Sequence, residues 1–400
     1  MTALLPLSLL GVLVWGEWGL RQLLGLRYRP FQNEHTETSS VIVPVYKEDP
    51  SILERALESW MNNEPDEIIL VIDHTETVIL ELADGWQKRM PTLRTLTARE
   101  PGKRHALVLG MKAARFDVVV LTDSDTLWEA GLLPKLLMPF ANQTIGGVGC
   151  RQNVLQPGTS IWRQVADWMM DVRFLHFLPA IARKHAVPCI SGRTAAYRRA
   201  AVIPLLDDLE FEYFWGKRCY SGDDGRLTWL ILSNGWKAAY QMHARAWTVF
   251  PHSFRGFVKQ RVRWSRNSYR CYSRAIFNGW LWQQPTITSM SVLQNLIGPF
   301  TLLIPVFFLV HETVASNWTV VAVILLWLIL GRAIKSMRHF RSEPRALLLL
   351  PLITLIFIVV MIPIKLYALV TMNKQGWITR TPDSDVAEGQ EASSLAPLSA

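Results

Sequence analysis

The sequence predicts an α/β domain, a mostly parallel sheet with flanking helices, joined to α-helical transmembrane and interfacial segments. Three observations predict it. Strand-like runs alternate with helical patterns from residue 40 onward, long uncharged apolar runs flank that region, and half of the 400 residues are hydrophobic while 19% are charged. With a mean hydropathy of +0.15, this composition argues against a simple soluble chain. The charge balance is 42 Lys+Arg against 33 Asp+Glu, a net of +9, which suits a membrane surface, an anionic substrate or a nucleic acid. The four cysteines form no CxxC pair, so neither a zinc site nor a disulfide framework is indicated.

The elements run in chain order. Residues 1–29 read as an amino-terminal transmembrane anchor, because residues 1–16 are uncharged and the basic cluster Arg21, Arg27 and Arg29 comes after the apolar run. A cleaved leader has the reverse order, and the positive-inside rule places the chain beyond residue 21 in the cytoplasm. Residues 30–255 form the cytoplasmic α/β domain. Ser40–Val45, Glu67–Ile72 and Asp117–Leu121 read as strands, with a helical pattern from Ser51 to Met61. Residues 256–285 read as amphipathic interface helices, with Arg266, Arg270 and Arg274 at helical spacing; adhesion to anionic headgroups accounts for most of these cations. Residues 286–371 are transmembrane or re-entrant, since the run from Ala346 to Ile364 is interrupted by Pro351 and Pro363. Residues 372–400 end in an acidic tail rich in Ser, Ala and Pro, expected to be disordered.

The candidate chemistry lies just past the strands, where open α/β sheets bind ligands. Asp123 and Asp125 are two apart in extended chain, so both carboxylates can address one divalent cation and a diphosphate. Alone this spacing is common in solvated turns. Gly102-Lys103-Arg104 precedes a helical run and can approach phosphate, or is an ordinary basic loop. Ser221-Gly222-Asp223-Asp224 reads as a helix start, where Asp223 is a candidate N-cap and Asp224 a candidate general base toward a hydroxyl. Gln260, Arg263 and Trp264 form a cluster that headgroup binding explains less well than it explains the other cations.

Taken together, the order Val43-Pro44-Val45-Tyr46-Lys47-Glu48, Asp73, Gly102-Lys103-Arg104, Asp123-Ser124-Asp125, Ser221-Gly222-Asp223-Asp224 and Gln260-x-x-Arg263-Trp264 resembles the processive membrane-embedded family-2 glycosyltransferases. Within them it looks most like the hyaluronan synthases, relatives of cellulose and chitin synthases, through Cys189-Ile190-Ser191-Gly192 and Gly376-Trp377-Ile378-Thr379. The resemblance implies a glycosyltransferase-A fold using Mg²⁺ or Mn²⁺ and UDP-sugar donors, UDP-GlcNAc with UDP-GlcA as the second candidate. It implies that Tyr46, Glu48, Asp73, Lys103, Arg104 and Asp123 bind the nucleotide, that Asp123 and Asp125 bind the metal, and that Asp224 is the base. Gln260, Arg263 and Trp264 would lie beside acceptor and diphosphate, and Trp377 and Thr379 would gate the nucleotide. The expected partners are a growing polysaccharide and membrane lipids, with no nucleic acid, in the plasma (inner) membrane. Arg193-Thr194-Ala195 departs from the family's Pro-Leu-Gly, and the short set of carboxy-terminal helices predicts a homodimer as the complete channel. The rival readings are a non-processive enzyme moving one sugar to a lipid-linked acceptor, and a non-catalytic basic membrane-binding protein.

Overall fold

A computed structural model describes residues 9–374 of the chain. Helix α1 (Leu9–Leu26) leads into β1 (Ser39–Val45), α2 (Pro50–Met61), β2 (Glu67–Asp73), α3 (Thr77–Arg89), β3 (Leu93–Ala98), α4 (Lys103–Ala113) and β4 (Val118–Thr122). Then come β5 (Thr126–Trp128), β6 (Ile145–Val154), α5 (Ile161–Asp171), β7 (Thr194–Arg198), the hairpin β8 (Tyr213–Phe214) and β9 (Lys217–Arg218), α6 (Asp223–Ser233) and β10 (Lys237–Thr248). The last described elements are α7 (Phe254–Phe277), α8 (Thr286–Val314), α9 (Trp318–Lys335), α10 (Met337–Ser342) and α11 (Ile362–Val370).

Eight strands form one sheet in the order β3-β2-β1-β4-β7-β6-β10-β5. The first four are mutually parallel, β6 and β10 are parallel to each other, and β7 runs against both β4 and β6. This is the mostly parallel sheet with flanking helices that the sequence predicts. Strands β1, β2 and β4 are almost wholly buried, because helices cover both faces; their Val and Ile runs suit that environment. Helix α2 starts where Asp49 accepts from the Ser51 and Ile52 amides and Pro50 fixes the first turn. Ile52, Leu53, Ala56, Leu57 and Trp60 then recur at helical spacing and fill the core. On the opposite face α4 lies so close that a Cβ on Gly110 would stand 2.4 Å from Ile42 Cγ2.

The consequence is positional. The carboxyl ends of β1, β2, β4 and β10 and the amino end of the opposed β7 share one edge, so Tyr46, Asp73, Asp123, Gly192 and Phe250 gather there although they are far apart in sequence.

Among the described residues three helical stretches are long and apolar enough to cross a membrane: Thr286–Val314, Trp318–Lys335 and Pro344–Val370. Helix α1 is not one of them. It carries Glu17 paired with Arg21 one turn on, and packs along α9 through Trp15 and Trp327, whose rings meet edge-on at 5.6 Å. The α7 cations depart from the headgroup reading. Arg266 and Arg270 are buried, Arg266 donating to Thr371 Oγ1 at 3.0 Å and Arg270 to the Met372 carbonyl at 2.8 Å. They fasten α7 to the end of α11, because a buried guanidinium needs acceptors and carbonyls at a helix terminus are spare.

Candidate active site

The shared edge opens into a cavity of about 890 Å³, a size suited to a nucleotide-sized ligand. Its lining includes Tyr46, Glu48, Asp73, Lys103, Asp123, Asp125, Asp223, Asp224, Gln260, Arg263 and Trp264. At its centre Lys103, the first residue of α4, spans two motifs: its Nζ lies 2.6 Å from Asp123 Oδ1 and 3.4 Å from Asp223 Oδ2. Despite the burial that opposes its charge, these carboxylates hold the Lys103 pKa above its ordinary value.

Gly192 permits the convergence. A Cβ there would sit 3.2 Å from Asp224 Cβ, 3.3 Å from Asp223 Oδ2 and 3.8 Å from Lys103 Nζ. Asp123 is fixed by its own amide, which donates to the Arg193 carbonyl at 3.1 Å, and Ser124 Oγ donates to Glu48. Asp73 Oδ1 is held by the Thr75 amide and hydroxyl, at 3.0 and 2.6 Å.

The helix start at α6 differs from the N-cap reading. Gly222, with φ of +82°, takes the cap position, and Asp223 turns to Lys103 instead. The two aspartates consequently differ. Burial raises the Asp223 pKa, but Lys103 and Arg104 outweigh it and hold the carboxyl below the ordinary value. Asp224 is raised, by burial first and by the Asp223 charge second, while the Gly225 amide at 2.7 Å partly offsets both. A carboxylate poised upward in a cavity is what a general base requires.

Arg104, expected beside the nucleotide, does not line the cavity. It is 4% exposed and donates to Glu212 at 2.7 Å, to the Leu209 carbonyl at 2.9 Å and to the Ser221 carbonyl at 2.9 Å, bracing the loop that carries Asp223. Trp377 and Thr379 lie outside the described residues. Gln260 faces the cavity with Oε1 buried and without a hydrogen-bond partner among the described residues, an acceptor awaiting a donor.

Sequence reasoning assigns no role to three lining residues. Arg193 lies against both Phe250 and Trp264, whose rings meet edge-on at 6.0 Å, its guanidinium 4.4 and 4.6 Å from their ring centres, and burial lowers its pKa to about 10. Arg173, on a wide π-helical turn after α5, donates to the Cys189 carbonyl at 3.3 Å. The Cys189 thiol lies 3.8 Å from Asp224 Oδ2, and burial pushes it up to about 12, so it stays protonated. Two of them carry a sequence signal, Cys189 as the start of a motif and Arg193 as a departure from one; Arg173 carries none.

The family model described as "Glycosyltransferase like family 2" matches residues 37–267, which holds the whole sheet and most of the cavity. The chain belongs to this family. It is therefore a family-2 glycosyltransferase. Among similar curated proteins, an N-acetylglucosaminyltransferase of Neorhizobium galegae is 26% identical over 371 residues, covering 90% of this chain and 84% of the relative. Another, of Bradyrhizobium diazoefficiens, is 28% identical over 377 residues, covering 89% and 74%. A solved mannosyltransferase from Pyrobaculum calidifontis, in complex with GDP-Man and Mn²⁺, aligns with a TM-score of 0.62 at 20% identity, covering 90% of this glycosyltransferase and 99% of that chain; it supports the fold.

Proposed function

We propose that this glycosyltransferase transfers N-acetylglucosamine from UDP-GlcNAc, with inversion and repeatedly, to a growing oligosaccharide at a membrane. The observation that carries the reading is the Lys103 bridge between Asp123 and Asp223, with Asp125 and Asp224 lining the same cavity. The sugar is taken from the name borne by the rhizobial relatives and its UDP carrier from the resemblance above, and that name favours a single sugar over the alternating donors of a hyaluronan-type enzyme.

Asp123 and Asp125 fit Mg²⁺ or Mn²⁺: they are hard oxygen donors, and the Lys103 ammonium already lies against Asp123 as a cation. A bound divalent ion supplies positive charge to the diphosphate leaving group. Asp224 takes the proton from the acceptor hydroxyl as its oxygen attacks the anomeric carbon opposite UDP. Gln260 offers its free Oε1 to a sugar N–H or O–H, and Arg263 with Lys103 holds diphosphate charge. Tyr46, Glu48 and Asp73 flank the uridine end. The three apolar stretches hold the enzyme in the inner membrane with this cavity on the cytoplasmic side and pass the product outward. Trp377 and Thr379 are proposed to close over the nucleotide.

Membranes containing the protein, given radiolabelled UDP-GlcNAc with and without UDP-GlcA, test this. The expected result is a ladder of products from UDP-GlcNAc alone, lost in Asp125→Asn and Asp224→Asn. A single extracted glycolipid would replace the repetitive reading, and an absolute need for UDP-GlcA would restore the hyaluronan one.

A further inference from the structure

The segment ahead of the Asp223-Asp224 helix carries an unusual surface. Phe211, Tyr213, Trp215 and Tyr220 are 51%, 55%, 66% and 47% exposed within ten residues. Strands β8 and β9 pair Tyr213 with Arg218 and Phe214 with Lys217, leaving Trp215 and Gly216 as a two-residue turn. Both have positive φ, +46° and +74°. A bulky side chain is disfavoured in that left-handed conformation, yet here it sets a largely exposed indole at the tip, its ring 4.8 Å from that of Phe214.

The hairpin is mounted rigidly. Phe214 points inward, and the Cys219 amide bonds the Glu212 carbonyl at 2.8 Å. Buried Glu212 pairs with Arg104 at 2.7 Å and Arg274 at 3.2 Å, and Arg274 also donates to the Tyr213 carbonyl. Arg218 lies over Phe211 and Tyr220, 5.1 and 5.9 Å from their ring centres, and Lys217 is exposed. Arg274 belongs to the last turn of α7. Beyond it come Phe277 and Trp282, 83% and 60% exposed, and then the first apolar stretch at Thr286. Aromatic rings and cations are thus continuous with the chain's passage into α8, and the exposed charges of residues 211–220 are all positive. Trp and Tyr favour the headgroup level, and Lys and Arg favour anionic lipid.

We propose that the 211–220 hairpin inserts its aromatic tip into the interfacial layer of an anionic bilayer, as a second anchor holding the catalytic domain against the membrane. This rests on the membrane reading of the apolar helices, so the test separates the two. The full-length protein carrying Trp215→Cys, labelled with an environment-sensitive NBD dye, is reconstituted in phosphatidylcholine–phosphatidylglycerol vesicles. Lys217→Cys is labelled as a second site, and the unsubstituted chain gives the background of native thiols. Flotation with the vesicles reports the helices; NBD reports the hairpin. The expected result in floated protein is a blue-shifted emission, quenched by lipids spin-labelled near the headgroup and protected from aqueous iodide. Water-like emission quenched by iodide would overturn the proposal. So would protection from iodide without lipid quenching, which would assign the surface to a second copy or to the residues after Lys374.

Discussion

Asp223 and Asp224 are adjacent in sequence and opposite in electrostatics, because one faces Lys103 at 3.4 Å and the other faces its neighbour's charge in a buried wall. A base must be ionised to act, so activity should fall as pH drops through the raised Asp224 pKa. Replacing Asp223 by Asn removes the second cause of that rise, which lowers the Asp224 pKa. The acid limb of the kcat/KM profile should therefore move to lower pH in Asp223→Asn; a limb that stays in place removes Asp224 from the role of base. At this scale the acidic motifs were legible because their spacing is local. Arg104 was misleading for the opposite reason: it is next to Lys103, but the helix turns it toward Glu212, a residue 108 positions away.

At the scale of elements, the contact of α4 with the sheet positions Lys103. Gly110→Ala would drive a methyl to 2.4 Å from Ile42 Cγ2 and 3.1 Å from Val71 Cγ2, both in the buried sheet. The helix must lift, at about 1–3 kcal/mol, the usual range for overpacking. Thermal unfolding should show a lower midpoint, and donor KM should rise as Lys103 withdraws from Asp123. Strands β1, β2 and β4 were legible from their Val and Ile runs. Strands β6 and β7 were not: Ile-Gly-Gly-Val-Gly-Cys and Thr-Ala-Ala-Tyr carry little β signal, and the pairing of β7 with β4 and β6, and of β6 with β7 and β10, makes them strands. The α7 cations had the right periodicity for a surface helix, yet periodicity does not tell lipid from a neighbouring α11.

At the scale of the molecule, the catalytic domain and the apolar helices meet through a charged clamp. His339 on α10, just past α9, lies 2.9 Å from Asp171 Oδ2 at the end of α5, and Arg151 on β6 lies 3.0 Å from Asp171 Oδ1. Burial raises the Asp171 pKa, but His339 and Arg151 outweigh it and hold the carboxyl below its ordinary value. Its contribution to stability is thus present above the ordinary carboxyl pKa and lost as pH falls through the depressed one. His339→Ala removes one charged hydrogen bond, and should destabilise the detergent-solubilised protein by about 1.5–3 kcal/mol. The loss should appear in chemical or thermal unfolding at neutral pH and shrink in acid.

The sequence by itself determined what depends on neighbours along the chain: the strand and helix alternation, the acidic spacings, the apolar stretches and the family. Which charges face the cavity and which brace the scaffold was decided only by the tertiary structure. The physical reason is that a buried ion persists only with a partner, and the partners of Lys103, Arg104 and Asp171 come from segments that folding, not sequence order, brings within hydrogen-bonding reach.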